Sequence, residues 1–106
     1  MKILIVDDEE MIRGVLKEYV EFEGNEAFEA ADGMEALAQI DALQPDIAIM
    51  DINIPIMNGL KVIELARMKH PDMAFVVVSG YDDFSYCREA LRLKITDYIL
   101  KPVNYE

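Results

Sequence analysis

The chain has 106 residues, of which 53% are hydrophobic and 29% charged, so we expect one globular domain with a substantial core. The formal net charge of −11 excludes a basic surface that would neutralise nucleic-acid phosphates, and a single cysteine excludes an internal disulfide. No apolar run approaches the roughly 20 residues that cross a bilayer. Because Met1-Lys2-Ile3 leads at once into a predicted strand, we expect a cytoplasmic protein without a signal peptide and without membrane contact.

Five short apolar runs alternate with four amphipathic segments along the chain. The runs are typical of buried parallel strands and span residues 3–6, 27–30, 47–50, 74–78 and 98–100. The amphipathic segments predict helices over about 10–23, 33–43, 59–69 and 82–93. Strands that alternate with helices of this length specify βαβ units, so we predict an α/β fold with a parallel sheet and helices on both faces.

Helix ends are marked by four residues. Gly24 is placed to end the first helix, and Asp32 is a suitable N-cap for the second. Gly59 is expected to open the third helix rather than to bind phosphate. His70, the only histidine, precedes a proline at the end of that helix, so we expect it to cap the helix or to be exposed rather than to be catalytic.

Aspartates directly follow the first and third apolar runs. Asp7 and Asp8 come after the first run and Asp51 after the third. Ligands of open parallel sheets bind outside the carboxyl ends of the strands, at the point where strand order reverses, so these carboxylates are expected to converge. Crowded carboxylates repel one another and are tolerated mainly with a cation. We therefore predict a Mg²⁺ site with Asp8 and Asp51 as direct ligands, Asp7 acting through water, and the backbone carbonyl of Asn53 as a further ligand.

Two polar residues follow other strand ends. Lys101 comes after the fifth run and Ser79 after the fourth. A lysine, a hydroxyl and a divalent cation beside Asp51 indicate phosphoryl chemistry, with Asp51 either a metal ligand only or the nucleophile of an aspartyl phosphate. Each residue also has a plainer interpretation: acids that open a helix, a surface lysine, and a serine in a turn.

In combination these features resemble the receiver domain of bacterial two-component response regulators, from residue 1 to about residue 103. The similarity rests on five motifs in order: Ile-Leu-Ile-Val-Asp-Asp-Glu-Glu at 3–10, Asp-Gly-Met-Glu-Ala-Leu at 32–37, Pro-Asp-Ile-Ala-Ile-Met-Asp-Ile-Asn-Ile-Pro-Ile-Met-Asn-Gly at 45–59, Val-Val-Ser-Gly-Tyr at 77–81 and Asp-Tyr-Ile-Leu-Lys-Pro-Val at 97–103. The resemblance implies a flavodoxin-like, doubly wound, five-stranded parallel sheet with strand order 2-1-3-4-5.

The resemblance also implies a role for each matching position. Asp51 would be the phosphoacceptor, and Asp7, Asp8 and the Asn53 carbonyl would hold Mg²⁺. Lys101 would pair with the phosphoryl group. Ser79 would be the switch hydroxyl and Tyr98 the aromatic that follows it, which would change the face formed by the fourth helix and fifth strand.

The implied function is phosphoacceptance from a sensor histidine kinase, followed by homodimerisation or contact with an effector. Residues 79–103 look most like receivers joined to an AraC-type DNA-binding domain, which is absent, so DNA contact is expected only through that effector. Such a domain promotes its own phosphorylation and dephosphorylation and is not counted as an enzyme.

One departure concerns the carboxyl end. The family usually closes with a fifth helix, whereas this chain ends at Glu106. The resemblance therefore implies a receiver domain over residues 1–106 without that helix. We expect one flank of the sheet near the fifth strand and first helix to be uncovered. The alternatives are a truncated chain, reduced stability, or an oligomer that covers the gap.

Two other functions compete with this interpretation. A haloacid-dehalogenase-like phosphatase also uses an aspartate nucleophile and Mg²⁺, but it needs Asp-x-Asp after the first strand, where this chain has Glu9. The other is an interaction module that does not depend on phosphorylation. Such a module would be expected to have lost at least one residue of the phosphorylation site. This chain keeps the three aspartates, Ser79 and Lys101, which argues against this alternative.

Overall fold

The computed structural model describes residues 1–52, 54–79 and 97–100, with residue 79 and residues 97–100 described by their backbone. The strands are β1 (Lys2–Val6), β2 (Glu26–Ala30), β3 (Ile47–Asp51), β4 (Ala74–Ser79) and β5 (Asp97–Leu100). The helices are α1 (Glu10–Phe22), α2 (Gly33–Leu43) and α3 (Gly59–Lys69). The predicted fourth helix lies outside the described residues.

The strands form one parallel sheet in the order β2-β1-β3-β4-β5, which confirms the predicted flavodoxin-like fold. The chain adds β2 on one side of β1 and then β3 on the other. The order therefore reverses between β1 and β3, and the carboxyl ends of these two strands flank the switch point where such sheets bind ligands.

The alternation of side chains along each strand builds two separate cores. Leu4 and Val6 of β1 face one way and pack in a cluster with residues of α2 and α3, including Ile40 and Ile63. Their neighbours on the strand face the other way, toward α1. Because successive strand residues point to opposite faces, four consecutive apolar residues serve both cores, as a strand buried on both faces requires.

The face that packs against α1 is less completely covered than the other. Ile47 and Ile49 of β3 are half-buried, whereas Ala48 and Met50 on the opposite face are fully buried. The expectation of lower stability or of an oligomer that covers this flank stays a prediction.

Helix ends follow the residues that the sequence indicates. The Asp32 carboxylate accepts a hydrogen bond from the Glu35 N–H at 2.8 Å, which caps α2. Gly24 follows α1 with a φ of +86°, a conformation that a glycine adopts without strain. His70 is the C-cap of α3, and its N–H donates to the Ala66 carbonyl oxygen at 2.8 Å. None of the three described helices combines the length and the hydropathy that a membrane span requires.

One residue of α1 departs from its expected position. The pattern of the helix groups Tyr19 with Ile12, Leu16 and Val20 on one face. Val20 is buried and packs with Leu16, but Tyr19 is 47% exposed, so that assignment is wrong for Tyr19. It lies at the edge of the apolar stripe, where an aromatic ring with a polar hydroxyl is tolerated in water.

Candidate functional site

Three aspartates meet at the carboxyl edge of the sheet. Asp51 is the last residue of β3, and Asp7 and Asp8 follow the last residue of β1. Carboxylate oxygens of the three residues all lie within 4.8 Å of one another. The β1–β3 register explains this proximity, because Val6 pairs with Met50 and the residues after both therefore lie side by side.

Burial makes this cluster more than a set of surface acids. Asp7 is 3% exposed and Asp51 is 2% exposed, whereas Asp8 is exposed to solvent. Buried carboxylates are costly unless they are paired, hydrogen-bonded or bound to a cation. The cluster therefore offers carboxylate oxygens as ligands and is exposed to solvent at Asp8. This set of donors suits a hard divalent cation.

Hydrogen bonds fix the position of Asp7. Its N–H donates to the Ala30 carbonyl oxygen at 3.1 Å, which ties the end of β1 to the end of β2. Its Oδ1 accepts from the Glu9 N–H at 2.9 Å, and its main-chain carbonyl accepts from the Arg13 guanidinium at 2.7 Å. Glu9 and Glu10 are the N-cap and the first residue of α1, so these two acids open the helix.

The backbone after Asp51 is held just as closely. The Ile52 N–H donates to the Val78 carbonyl oxygen at 3.1 Å and the Gly59 N–H to the Ile52 carbonyl oxygen at 2.9 Å. A Cβ atom on Gly59 would lie 2.6 Å from the Asp51 carbonyl oxygen. A glycine is therefore required for the start of α3 to approach the end of β3. Gly59 opens α3, as the sequence predicts.

An apolar cavity adjoins the acids on the α1 face. It has a volume of about 220 Å³, and Asp7 and Asp51 line it together with Val6, Ile12 and Val78. Apolar walls on one side of the carboxylates strengthen electrostatic interactions at the site relative to those in water.

For the remaining predicted site residues, the structure describes only the backbone of Ser79 and Tyr98. Ser79 is the last residue of β4, and its neighbour Val78 pairs with Asp51, so Ser79 belongs to the same edge of the sheet. Tyr98 pairs with Val77 across β4 and β5. Asn53 and Lys101 lie outside the described residues. By sequence, Lys101 follows the last residue of β5.

No motif in the sequence identifies Arg13 as a site residue. The residue lies one turn into α1, and its contact with the Asp7 carbonyl is a main-chain interaction that no side-chain motif encodes. The available signal was a basic residue six positions after Asp7 in an otherwise acidic segment.

Comparisons with known proteins agree with the fold. The family model for the response regulator receiver domain matches residues 3–106. The transcriptional regulatory protein HptR of Staphylococcus aureus is 37% identical over 107 residues, which cover 98% of this chain and 42% of HptR. The chain thus spans less than half of the length of the curated relatives it matches.

Solved structures give the same result. A CheY-like receiver domain from Methanospirillum hungatei superposes with a TM-score of 0.93 at 38% identity, covering 98% of this chain and 83% of that one. The receiver domain of AraT, a response regulator from Geobacillus stearothermophilus, gives a TM-score of 0.88 at 41% identity, with the same coverage. The chain therefore belongs to the response regulator receiver domains of two-component systems.

Proposed function

We propose that this domain accepts a phosphoryl group on Asp51 from a sensor histidine kinase, in a reaction that depends on Mg²⁺. The observation that carries the proposal is the group of three aspartates, whose oxygens lie within 4.8 Å of one another around a buried Asp51. A phosphoacceptor needs a carboxylate with a cation beside it, because an anionic phosphate otherwise repels the acids.

The donor set fits Mg²⁺. All three side chains offer carboxylate oxygens, the ligands that this ion prefers, and the exposed Asp8 leaves the site open to water and to phosphate oxygens. Asp8, Asp51 and the Asn53 carbonyl would hold the ion, with Asp7 acting through water. When bound, the ion would offset the negative charge of the incoming phosphoryl group.

The transfer itself is a displacement at phosphorus. An oxygen of the Asp51 carboxylate attacks the phosphorus of a phosphohistidine on the kinase, and a P–O bond forms as the P–N bond breaks. The histidine ring leaves with the electron pair of that bond, and Asp51 becomes an aspartyl phosphate. In this scheme Lys101 forms an ion pair with the transferred phosphoryl group, and the Ser79 hydroxyl donates a hydrogen bond to a phosphate oxygen. Ser79 is the last residue of β4, and Lys101 follows the last residue of β5 in the sequence, which supports these roles.

The signal leaves the site through the neighbouring strands in this scheme. Ser79 and Tyr98 act as the switch pair. They lie on the adjacent strands β4 and β5, where Ser79 pairs with Leu100, two residues after Tyr98. Their rearrangement would alter the face formed by the fourth helix and β5 and thereby control dimerisation or an effector such as a DNA-binding domain. The relative HptR is a transcriptional regulatory protein, which supports this output.

The remaining properties follow from that role. The domain works in the cytoplasm and promotes its own phosphorylation and dephosphorylation rather than turning over a separate substrate. With a net charge of −11 it does not bind nucleic acid itself, so DNA is reached only through an effector domain.

The proposal is tested by intact mass spectrometry after incubation with acetyl phosphate and MgCl₂. We expect the chain to gain one phosphoryl group, and we expect the gain to vanish with EDTA and in the Asp51→Asn variant. A folded wild-type chain that gains nothing would instead favour an interaction module that works without phosphorylation.

A further inference from the structure

We infer that Arg13 is a positioning residue for the metal site, acting through the main chain of Asp7. The inference rests on the proposed Mg²⁺ site and adds a residue that does not touch the ion. Its basis is a 2.7 Å hydrogen bond from Arg13 Nη1 to the Asp7 carbonyl oxygen.

The guanidinium is itself held in place. The Arg13 side chain is 15% exposed, and its Nε donates to Glu29 Oε1 at 3.2 Å. Glu29 belongs to β2, and its other carboxylate oxygen lies 3.9 Å from the Lys17 ammonium of α1. Arg13 therefore bridges α1, the end of β1 and β2 with two donors in a fixed planar group, an arrangement that a lysine cannot reproduce.

This bridge acts on the peptide that joins the two acids after β1. The Asp7 carbonyl belongs to the peptide group between Asp7 and Asp8, so its direction sets where the Asp8 backbone begins. The Asp7 N–H is bound to the Ala30 carbonyl and its Oδ1 to the Glu9 N–H. Together with the Arg13 contact, these bonds fix the N–H, the main-chain carbonyl and the carboxylate of Asp7 before a metal ion binds.

The charge of Arg13 is not the main contribution. Its guanidinium is already paired with Glu29, so its net field at the carboxylates is reduced. The effect on metal binding is thus expected to depend on the shape of the side chain rather than on its positive charge. Loss of groups that orient metal ligands typically costs 10–100-fold in affinity.

Isothermal titration calorimetry with MgCl₂ on the full chain tests this inference. We expect Arg13→Ala and Arg13→Lys both to weaken Mg²⁺ binding by about tenfold or more. Lys17→Ala is the matched control, because Lys17 also contacts Glu29 from α1 but makes no bond to Asp7, and its affinity should equal that of the wild type. Circular dichroism at the titration temperature establishes that each variant is folded, and Arg13→Lys decides the outcome if Arg13→Ala does not fold.

Two results overturn the inference while leaving the proposed function intact. One is a Mg²⁺ affinity of Arg13→Ala within about twofold of the wild type, far below the expected loss. The other is a wild-type affinity in Arg13→Lys, which would show that charge alone suffices. If the wild-type chain itself binds no Mg²⁺, the proposed metal site fails and the role of Arg13 fails with it.

Discussion

At the scale of single residues, the site depends on main-chain contacts as much as on its acids. Gly59 shows this most clearly, because the start of α3 lies against the carbonyl of Asp51 with no room for a side chain. Asp51 is therefore placed by the strand that it ends and by a helix that touches its backbone. Substitutions at such positions report on the site without removing any reactive group.

We predict that Gly59→Ala lowers the free energy of unfolding by about 1–3 kcal/mol and slows phosphorylation of Asp51. The added Cβ would lie 2.6 Å from the Asp51 carbonyl oxygen and 2.9 Å from Ile52 Cα, and neither main-chain atom can move alone. Urea unfolding followed by circular dichroism measures the stability, and intact mass over time measures phosphorylation.

Gly14→Ala is the matched control for this experiment. Gly14 lies inside α1, and a Cβ there would meet nothing within 4 Å. The change should raise the free energy of unfolding by about 0.5–1 kcal/mol, because alanine loses less backbone entropy in a helix. Equal effects of the two substitutions would show that the approach of α3 to Asp51 is not tight.

At the scale of elements, the sequence predicts the strands and most helix ends because each depends on local chemistry. The bounds of α2 and α3 agree with the expected ranges, since Asp32 caps one helix and Gly59 opens the other. The two-sided burial of β1 follows from four apolar residues in a row. Tyr19 was misplaced because helical periodicity gives the direction of a side chain but not the width of the buried stripe.

The site was predictable only in part, for a related reason. Convergence of Asp7, Asp8 and Asp51 follows from strand ends and the switch point, which are properties of chain order. The contacts of Arg13 with the Asp7 carbonyl and of Gly59 with the Asp51 carbonyl follow from three-dimensional packing of main-chain atoms. No pattern of residue types in the sequence specifies them.

We predict that Asp32→Ala lowers the free energy of unfolding by about 1 kcal/mol, because the Glu35 N–H loses the carboxylate that caps α2. Asp32→Asn keeps an acceptor oxygen at the same place and should stay close to the wild type. Thermal and urea unfolding of both variants give the comparison. A full loss in Asp32→Asn would mean that the negative charge near the helix dipole, rather than the hydrogen bond, stabilises this end.

A contact between α2 and the end of α3 makes the stability of the fold depend on pH. The pKa of Asp41, on α2, lies below its ordinary value of 3.8, because the His70 ring and then the Lys69 ammonium hydrogen-bond to its carboxylate. A carboxyl whose pKa is lowered by folding stabilises the folded state above its unfolded value and loses this effect as the pH falls through its folded value. Because the carboxylate is at the surface, the contribution is small.

Asp41→Asn should accordingly be less stable than the wild type near neutral pH, with a difference that shrinks as the pH falls below 3.8. Urea unfolding of both proteins across the acid range measures this difference. A gap that widens on acidification would contradict the assignment.

At the scale of the whole molecule, the excess of acidic residues and the proposed metal site both affect stability. The chain carries 21 acidic and 10 basic residues, and self-repulsion among the acids disfavours the compact state. Three of those acids are gathered within 4.8 Å, so a bound cation should stabilise the fold as well as serve phosphoryl transfer.

We predict that MgCl₂ raises the free energy of unfolding by about 2.7 kcal/mol when its concentration is a hundredfold above the dissociation constant. Sodium chloride at the same ionic strength should raise the free energy of unfolding far less, because it screens surface charge without binding at the three aspartates. Thermal unfolding in the two salts gives the comparison, with Asp8→Asn as the variant that lacks a proposed ligand. Equal stabilisation by both salts would argue against a specific metal site.

The location of the phosphoryl group decides whether Asp51 is the phosphoacceptor. After phosphorylation with acetyl phosphate and MgCl₂, borohydride reduces an aspartyl phosphate to homoserine, and peptide mass spectrometry then identifies the modified residue. We expect homoserine at position 51 and aspartate at positions 7 and 8, as the proposed role of Asp51 requires. Homoserine at position 7 or 8, or none at position 51 in a chain that has gained a phosphoryl group, would contradict it.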